Sequence, residues 1–386
     1  MSRAHADNAI RIPASGIREI ANKAMERPGT IRLELGEPNF PTPSHITAAG
    51  ADALADGKTR YTATRGLLRL REQIIGKLRR VNGIEAGPEN IVVTAGGVNA
   101  IYAALTAIIN PGDEVLVPNP AWPNYVMQVL ACGGEVREYR LDKTTFLPNV
   151  EHVEAMITPR TKVLILNSPG NPTGAVLPRA TAEQFVALAA KHDVYILSDE
   201  VYDELVYGEA HTSLYPLDPS NVIGVYSFSK TYAMTGWRLG YLVANANLAK
   251  LVERVQESVI SCASQVSQEA GIAALTGDQS VVQEMRDKYR ARRDAIVEEL
   301  KREKLYTYTP EGAFYILVDI SRAGLDSHSF ALQLLDRGGG VAVAPGSAFG
   351  TAADHIVRIS LASSEEDLRK GIQAIAKLVS EACMTP

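Results

Sequence analysis

Three short runs in the middle of the chain end apolar stretches on residues able to do chemistry: 168–174 (SPGNPTG), 198–202 (SDEVY) and 227–238 (SFSKTYAMTGWR). Together they supply a primary amine, Lys230, a carboxylate, Asp199, a phenol, Tyr202, an amide, Asn171, and a guanidinium, Arg238. An amine can add to an aldehyde and, once freed, move a proton. A guanidinium can give a phosphate two parallel hydrogen bonds. This set suits a phosphorylated pyridine aldehyde used as an electron sink. Each residue also has an ordinary reading. A lysine after a strand is most often a solvated end charge, an aspartate there a cap or turn residue. The tyrosine can belong to a core, and an asparagine before proline to a turn.

To act together these residues must reach one edge, and the hydropathy pattern supplies the elements. Residues 91–94, 114–117, 162–166, 194–197, 222–226 and 239–243 are apolar runs bounded by Gly, Pro, Ser or Asp, as buried strands would be. Between them 98–109, 122–130 and 180–192 have helical spacing. Strand alternating with helix predicts an α/β fold with a mostly parallel sheet covered on both faces, and such sheets bind ligands beyond the carboxyl ends of their strands. Residues 280–301, rich in Glu, Lys and Arg, read as an exposed helix leading into a second unit. That unit, 305–386, mixes strands at 314–320 and 355–361 with a final amphipathic helix.

Composition narrows the class. The 386 residues are enough for roughly two to three domains. Hydrophobic content of 46% with 22% charged residues describes an ordinary soluble chain. A net charge of −5 gives no electrostatic reason to expect nucleic acid. The polar stretch 1–10 lacks the apolar core of a signal peptide, and no run approaches the roughly 18 apolar residues of a membrane span. Cys132, Cys262 and Cys383 are few and far apart, without metal-ligand spacing, which fits a reducing compartment and leads to the cytoplasm as the expectation.

In their order the three runs resemble the pyridoxal-phosphate-dependent aminotransferases of class I and II, the aspartate-aminotransferase-like enzymes of fold type I. The resemblance extends over nearly the whole chain. It implies that Lys230, in its Ser-x-x-Lys setting, forms the imine with the cofactor, and that Ser227 and Arg238 bind the phosphate. By the same resemblance Asp199 pairs with the ring nitrogen, while Tyr202 and Asn171 bond the phenolic oxygen. Gly96 and Gly97 match the phosphate cup, where a strand gives way to a helix N-terminus. Trp122 matches the aromatic that stacks on the pyridine, and Tyr61 a tyrosine that reaches the neighbouring subunit's phosphate, implying a homodimer with shared active sites. Arg358 matches the grip on the substrate α-carboxylate and Gly36 the glycine whose backbone approaches it, with Trp122 and Asn171 beside the substrate.

The implied reaction moves an amino group from an L-amino acid to a 2-oxo acid in two stages. A large cofactor unit would span 46–279, with a smaller domain made of 1–45 and 280–386; the large unit would carry the mixed, mostly parallel seven-stranded sheet of the family. A C–S β-lyase of the same fold and an aspartate aminotransferase are the alternatives. A regulator with a DNA-binding helix-turn-helix is disfavoured because the first family motif begins by Leu35, and a dinucleotide-binding dehydrogenase because no G-x-G-x-x-G follows a strand. Dicarboxylate-specific relatives neutralise the distal carboxylate with a cation. Here Val98 follows the glycine pair, and 258–270 contains no Lys or Arg. Neutral donors are therefore expected over aspartate, unless a cation from elsewhere in the chain, Arg32 and Arg65 among them, reaches the pocket. The resemblance also implies cis peptide bonds at Asn119–Pro120 and Asn171–Pro172.

Overall fold

The computed structural model describes residues 5–337 and 340–383, so the first four positions of the polar stretch 1–10 lie outside the described residues. Its strands, in chain order, are β1 (Ile31–Arg32), β2 (Ile91–Thr94), β3 (Glu114–Asn119), β4 (Glu135–Arg140), β5 (Thr161–Asn167), β6 (Tyr195–Asp199), β7 (Val222–Ser227), β8 (Gly240–Val243), β9 (Tyr315–Asp319), β10 (Val341–Ala342), β11 (Ala344–Pro345) and β12 (Ile356–Ser360). Seven of them form one sheet in the order β2-β8-β7-β6-β5-β3-β4. The predicted apolar runs become its strands because their side chains are buried on both faces; β2, β3 and β8 are buried at every position. One face packs on a cluster that includes Leu164, Ile196, Tyr226 and Tyr241, and the other on Val163, Leu197, Val225 and Leu242. Helices Gly97–Ile108 and Ala246–Ile260 cover the second face.

Two features depart from a simple alternating pattern. The run 239–243, read with the other strands as part of a largely parallel sheet, pairs antiparallel with both β2 and β7. Its beginning, not its end, therefore lies at the carboxyl edge of the parallel strands. That reversal is what delivers Arg238 to the ligand edge. Strand β4 is an additional sheet edge with a mostly exposed, polar sequence, which gave no apolar run to read. Both expected X–Pro bonds, Asn119–Pro120 and Asn171–Pro172, are cis, and so is Ser168–Pro169.

A second hydrophobic cluster joins Ile20 and Leu33 near the N-terminus to Tyr289, Ile316, Val357 and Ile372 near the C-terminus. Around it β9, β11 and β12 form an antiparallel sheet and β1 pairs in parallel with β10. Helix Ser280–Arg302 is exposed on one side only; Val282, Met285, Tyr289 and Ile296 on its other side are buried. Helix Glu365–Cys383 buries Leu368, Ile372 and Ile375 at helical spacing. Among the described residues no helix is long and apolar enough to cross a membrane.

The approach of β8 to β2 is close enough to demand glycine. A Cβ on Gly240 would sit 2.7 Å from the carbonyl carbon of Gly96 and 2.8 Å from the nitrogen of Gly97, both backbone atoms that cannot step aside. At Gly236, four residues earlier, a Cβ would meet open space. Gly240→Ala should therefore cost about 1–3 kcal/mol in a denaturant titration, while Gly236→Ala changes stability little. Equal effects at the two positions would contradict this packing.

Candidate active site

A cavity of about 460 Å³ opens where the parallel strands end. The ends of β5, β6 and β7 contribute Asn167, Asp199 and Ser227 to its lining. Asp199 closes β6, Ser227 closes β7 and caps the short helix Phe228–Thr231 that carries Lys230, and Gly97 opens the helix after β2. The amides of that helix's first turn have no intrahelical acceptors and carry the positive end of its dipole. Gly96 turns the chain there at φ 88°, and a Cβ on it would come within 2.7 Å of Arg238 Nη2. Arg238 itself adopts left-handed backbone angles, φ 52°, a conformation costing about 1 kcal/mol for a side-chain-bearing residue. Its guanidinium donates to the carbonyls of Thr235 at 2.8 Å and Ala95 at 3.3 Å, which holds it over the glycine turn. Backbone amides, a hydroxyl and a fixed guanidinium thus surround one cradle suited to a phosphate.

Lys230 and Asp199 share the inner wall. The amine of Lys230 donates to the Gly36 carbonyl at 2.5 Å. Burial, reinforced by the positive charge of Arg358, pushes its pKa from 10.5 down to about 8, so an appreciable fraction is a free nucleophile near neutrality. Asp199 accepts a hydrogen bond from the Tyr125 hydroxyl at 2.5 Å and one from the Val201 amide at 3.3 Å. Burial outweighs these bonds and pushes its pKa up to about 6. It remains mostly ionised at pH 7, buried and without a cation in contact, and is thus ready to pair with a protonated ring nitrogen. Tyr202 is buried beside it, its hydroxyl 2.8 Å from that of Tyr315; burial foremost, then Tyr315, drives its pKa far up, so it acts as a neutral hydrogen-bonding group.

Arg358 forms the floor. The sequence pattern leaves an arginine on the open face of β12, yet it is only 2% exposed. Its guanidinium lies over the ring of Tyr315 at 4.2 Å and that of Phe349 at 4.9 Å. Nη1 donates to Asn171 Oδ1 at 2.9 Å and Nη2 to the Glu34 carbonyl at 2.5 Å, while the buried Nε has no partner among the described residues. A buried cation held by neutral acceptors, with a donor to spare, is a receptor for an anion such as a carboxylate.

Gly36, Gly97, Trp122, Asn171, Asp199, Tyr202, Ser227, Lys230, Arg238 and Arg358 all line this cavity, and Gly96 adjoins it. Tyr61 does not. It is 88% exposed and borders a separate groove with Lys58 and Gln265. Tyr125, Tyr315 and Arg18 are cavity residues that the sequence reading missed. Tyr125, three residues after Trp122 on the next helix, carried a findable signal; Tyr315 and Arg18 are far away in the chain and carried none. Neither Arg32 nor Arg65 lines the cavity: the first is paired with Glu34, the second with Glu253.

The donor set fits a phosphorylated pyridine aldehyde. The glycine cradle, the depressed lysine, the buried carboxylate and the orphaned Arg358 Nε each match one part of it or of its amino-acid substrate. Comparison with known proteins agrees. The profile of the family described as aminotransferase class I and II matches residues 28–375. The aspartate/prephenate aminotransferase of Thermus thermophilus is 41% identical over 356 residues, 91% of each chain. Aromatic-amino-acid aminotransferase 2 of Thermococcus litoralis is 38% identical over 384 residues, 97% of this chain and 98% of that one. Among solved structures, aspartate aminotransferase from Thermus thermophilus with maleate superposes with a TM-score of 0.93 at 39% identity, covering 98% of this chain and all of that one.

The depressed lysine predicts a stability signature in the cofactor-free protein. Below pH 8 the folded and unfolded states both carry the charge, so folding bears the full cost of burying it. Between about pH 8 and 10.5 the folded amine is already neutral while the unfolded one still binds its proton, and stability rises. Lys230→Met should therefore stabilise the cofactor-free protein at pH 7 by about 3 kcal/mol, with the gain vanishing across that window. A gain that is independent of pH in chemical denaturation would refute the buried charge.

Proposed function

We propose residue roles and a substrate class from one premise: the chain belongs to the class I and II aminotransferases, enzymes that depend on pyridoxal phosphate. When bound, the cofactor supplies an electron-withdrawing ring that takes up the charge left by removal of the substrate's α-proton. Lys230 would hold the cofactor at its aldehyde carbon and, as a free amine, would be the base that accepts the substrate's α-proton. Asp199 keeps the ring nitrogen protonated, and Tyr125 holds that carboxylate in place. Tyr202 and Asn171 bond the ring oxygen. Gly96, Gly97, Ser227 and Arg238 bind the phosphate, and Trp122 covers the ring. Arg358 grips the substrate α-carboxylate, with Gly36 leaving room for it. The observation that carries this reading is the convergence of Lys230, Asp199 and the part-satisfied Arg358 on one cavity.

The distal half of the cavity favours neutral side chains in this reading. Val98 and Ile101 line the cavity, and an unpaired carboxylate against them would cost several kcal/mol. One observation favours aspartate as a second donor. Arg18, on helix Gly16–Met25, lines the cavity, and no partner is found for its guanidinium among the described residues. The relatives' names include both aspartate and aromatic amino acids.

The division of the chain into 46–279 and 1–45 with 280–386 belongs to the same proposal, supported by the second hydrophobic cluster that joins both chain ends. So does a homodimer with shared sites, in which the exposed Tyr61 reaches the phosphate of a second copy. The free thiols Cys132, Cys262 and Cys383 support a cytoplasmic setting.

Two measurements test these roles. Lys230→Ala should fold yet lose amino transfer by about three orders of magnitude or more; wild-type turnover in that variant would overturn the assignment. With a common 2-oxo acid acceptor, kcat/KM should be higher for neutral donors such as alanine, methionine, aromatic or branched-chain amino acids than for aspartate. Arg18→Gln should lower the aspartate value about tenfold or more and leave the neutral donors unchanged, and Val98→Lys should raise it. A clear aspartate preference that survives Arg18→Gln would contradict this account of the pocket.

A further inference from the structure

The carboxylate that follows Asp199 takes no part in the roles above. Glu200, the residue after β6, is wholly buried, and its side chain lies on the Ser198 side, opposite to that of Asp199, as continued alternation requires. Four donors converge on it. Ser198 Oγ at 2.8 Å and the Leu214 amide at 3.1 Å bond Oε1, while Tyr226 Oη at 2.9 Å and His211 Nε2 at 3.0 Å bond Oε2. Burial opposes its charge, but the His211 bond and its companions prevail and hold Glu200 below the usual carboxylate range.

The Tyr226 bond is the informative one. Tyr226 belongs to β7, immediately before Ser227 and four residues before Lys230. Glu200 therefore ties the end of the strand that presents Asp199 to the end of the strand that presents Lys230. Its amide also donates to the Val225 carbonyl at 2.9 Å, extending the β6–β7 ladder one residue past Asp199. Behind the tie, the Tyr226 ring stacks on Tyr241 at 5.2 Å, and the Lys77 ammonium stands 5.1 Å from its centroid. Lys77 in turn pairs with Asp203, the neighbour of Tyr202, and Asn82 donates to both Asp203 and Ser213 at 2.9 Å. The segment from Asp199 to Asp203 is thus fastened from behind at two points. A buried carboxylate met by four donors rigidifies what it touches, although His211 Nδ1 on the far side of its ring has no partner among the described residues.

We propose that Glu200 is a positioning residue for amino transfer: it locks the ends of β6 and β7 together through Tyr226, and its buried charge acts across the strand on Asp199. The inference rests on the reading of Asp199 and Lys230 given above. The charged and titratable groups facing Glu200 are His211 and Tyr226, with Lys77, Asp203 and Tyr241 behind; those facing Asp199 are Tyr125, Tyr202 and Lys230. Glu200's negative charge favours protonation of Asp199, in the same direction as burial, the larger effect.

Two variants separate the tie from the charge: Glu200→Gln removes the charge and mismatches the donors, whereas Tyr226→Phe cuts the tie and keeps the charge. In the cofactor-free protein, amide hydrogen exchange should rise about tenfold or more in 199–203 and in 226–230 for both variants, with β9 unchanged. In the cofactor-loaded enzyme both should lower kcat about tenfold with KM within about twofold. Only Glu200→Gln should also move the pH midpoint of the bound cofactor's absorbance downward, because removing a negative charge disfavours the protonated form. Wild-type exchange in both segments together with wild-type kcat would overturn the proposal, as would exchange confined to residues 211–214. An unmoved midpoint in Glu200→Gln would overturn its electrostatic half. If Glu200→Gln does not fold, Tyr226→Phe decides by the exchange and kcat criteria alone. Failure of the wild-type protein to take up pyridoxal phosphate would instead refute the function, and the exchange arm would still judge the tie.

Discussion

The ladder between β6 and β7 sets the geometry on which the site depends. Asp199 lies opposite Val225 in that ladder, so the strand leading to Lys230 runs two residues past the level of the carboxylate before Ser227 closes it. On the other side Asn167 lies opposite Asp199, and both the Ser168 amide and the Asn167 side chain donate to the Asp199 carbonyl, which fixes where the loop to Asn171 departs. Three neighbouring strands thereby lead to an amine, a carboxylate and an amide at one edge, and a slip of β6 by one residue would turn Asp199 to the other face. The antiparallel β8 completes the edge from the opposite direction, with Arg238 two residues before its start.

What this edge holds is charge that the protein alone leaves partly unanswered. Burial pushes Asp199 up and Lys230 down, each toward its neutral form. Arg358 is buried on two aromatic rings with one donor unused. Groups so arranged weaken the folded chain by themselves and gain partners only from a ligand that brings a phosphate, a ring nitrogen and a carboxylate. The same logic accounts for the cost of the left-handed Arg238 and the glycine-only contact of Gly240 with the phosphate cradle. Glu200 differs in kind. Its charge is answered by four donors of the protein itself, which is why it can serve as a fixed point rather than as a reacting group.

Much of this was legible in the sequence because the strands of a sheet buried on both faces are continuous apolar runs, and reactive residues at their ends stand out against them. Lys230, Asp199 and Asn171 were visible for that reason. The direction of β8 was not legible, since an apolar run carries no sign of whether its neighbour is parallel. Strand β4 was hidden by its polar, half-exposed sequence at the sheet edge. Arg358 shows the limit most clearly. Alternation along β12 separates it from Val357 and Ile359, but its burial is decided by Tyr315, Phe349, Asn171 and the backbone at Glu34, all distant in the chain. Arg18 was missed for the same reason: an exposed helix residue near the N-terminus becomes a cavity residue only after the chain ends meet.

The most direct test of the central claim is chemical. The purified protein is incubated with pyridoxal phosphate, reduced with borohydride to make the lysine–cofactor bond permanent, digested, and mapped by mass spectrometry. Near-stoichiometric modification of Lys230 alone is the predicted result. Modification spread over surface lysines, or a Lys230 peptide recovered without the adduct, would contradict the account.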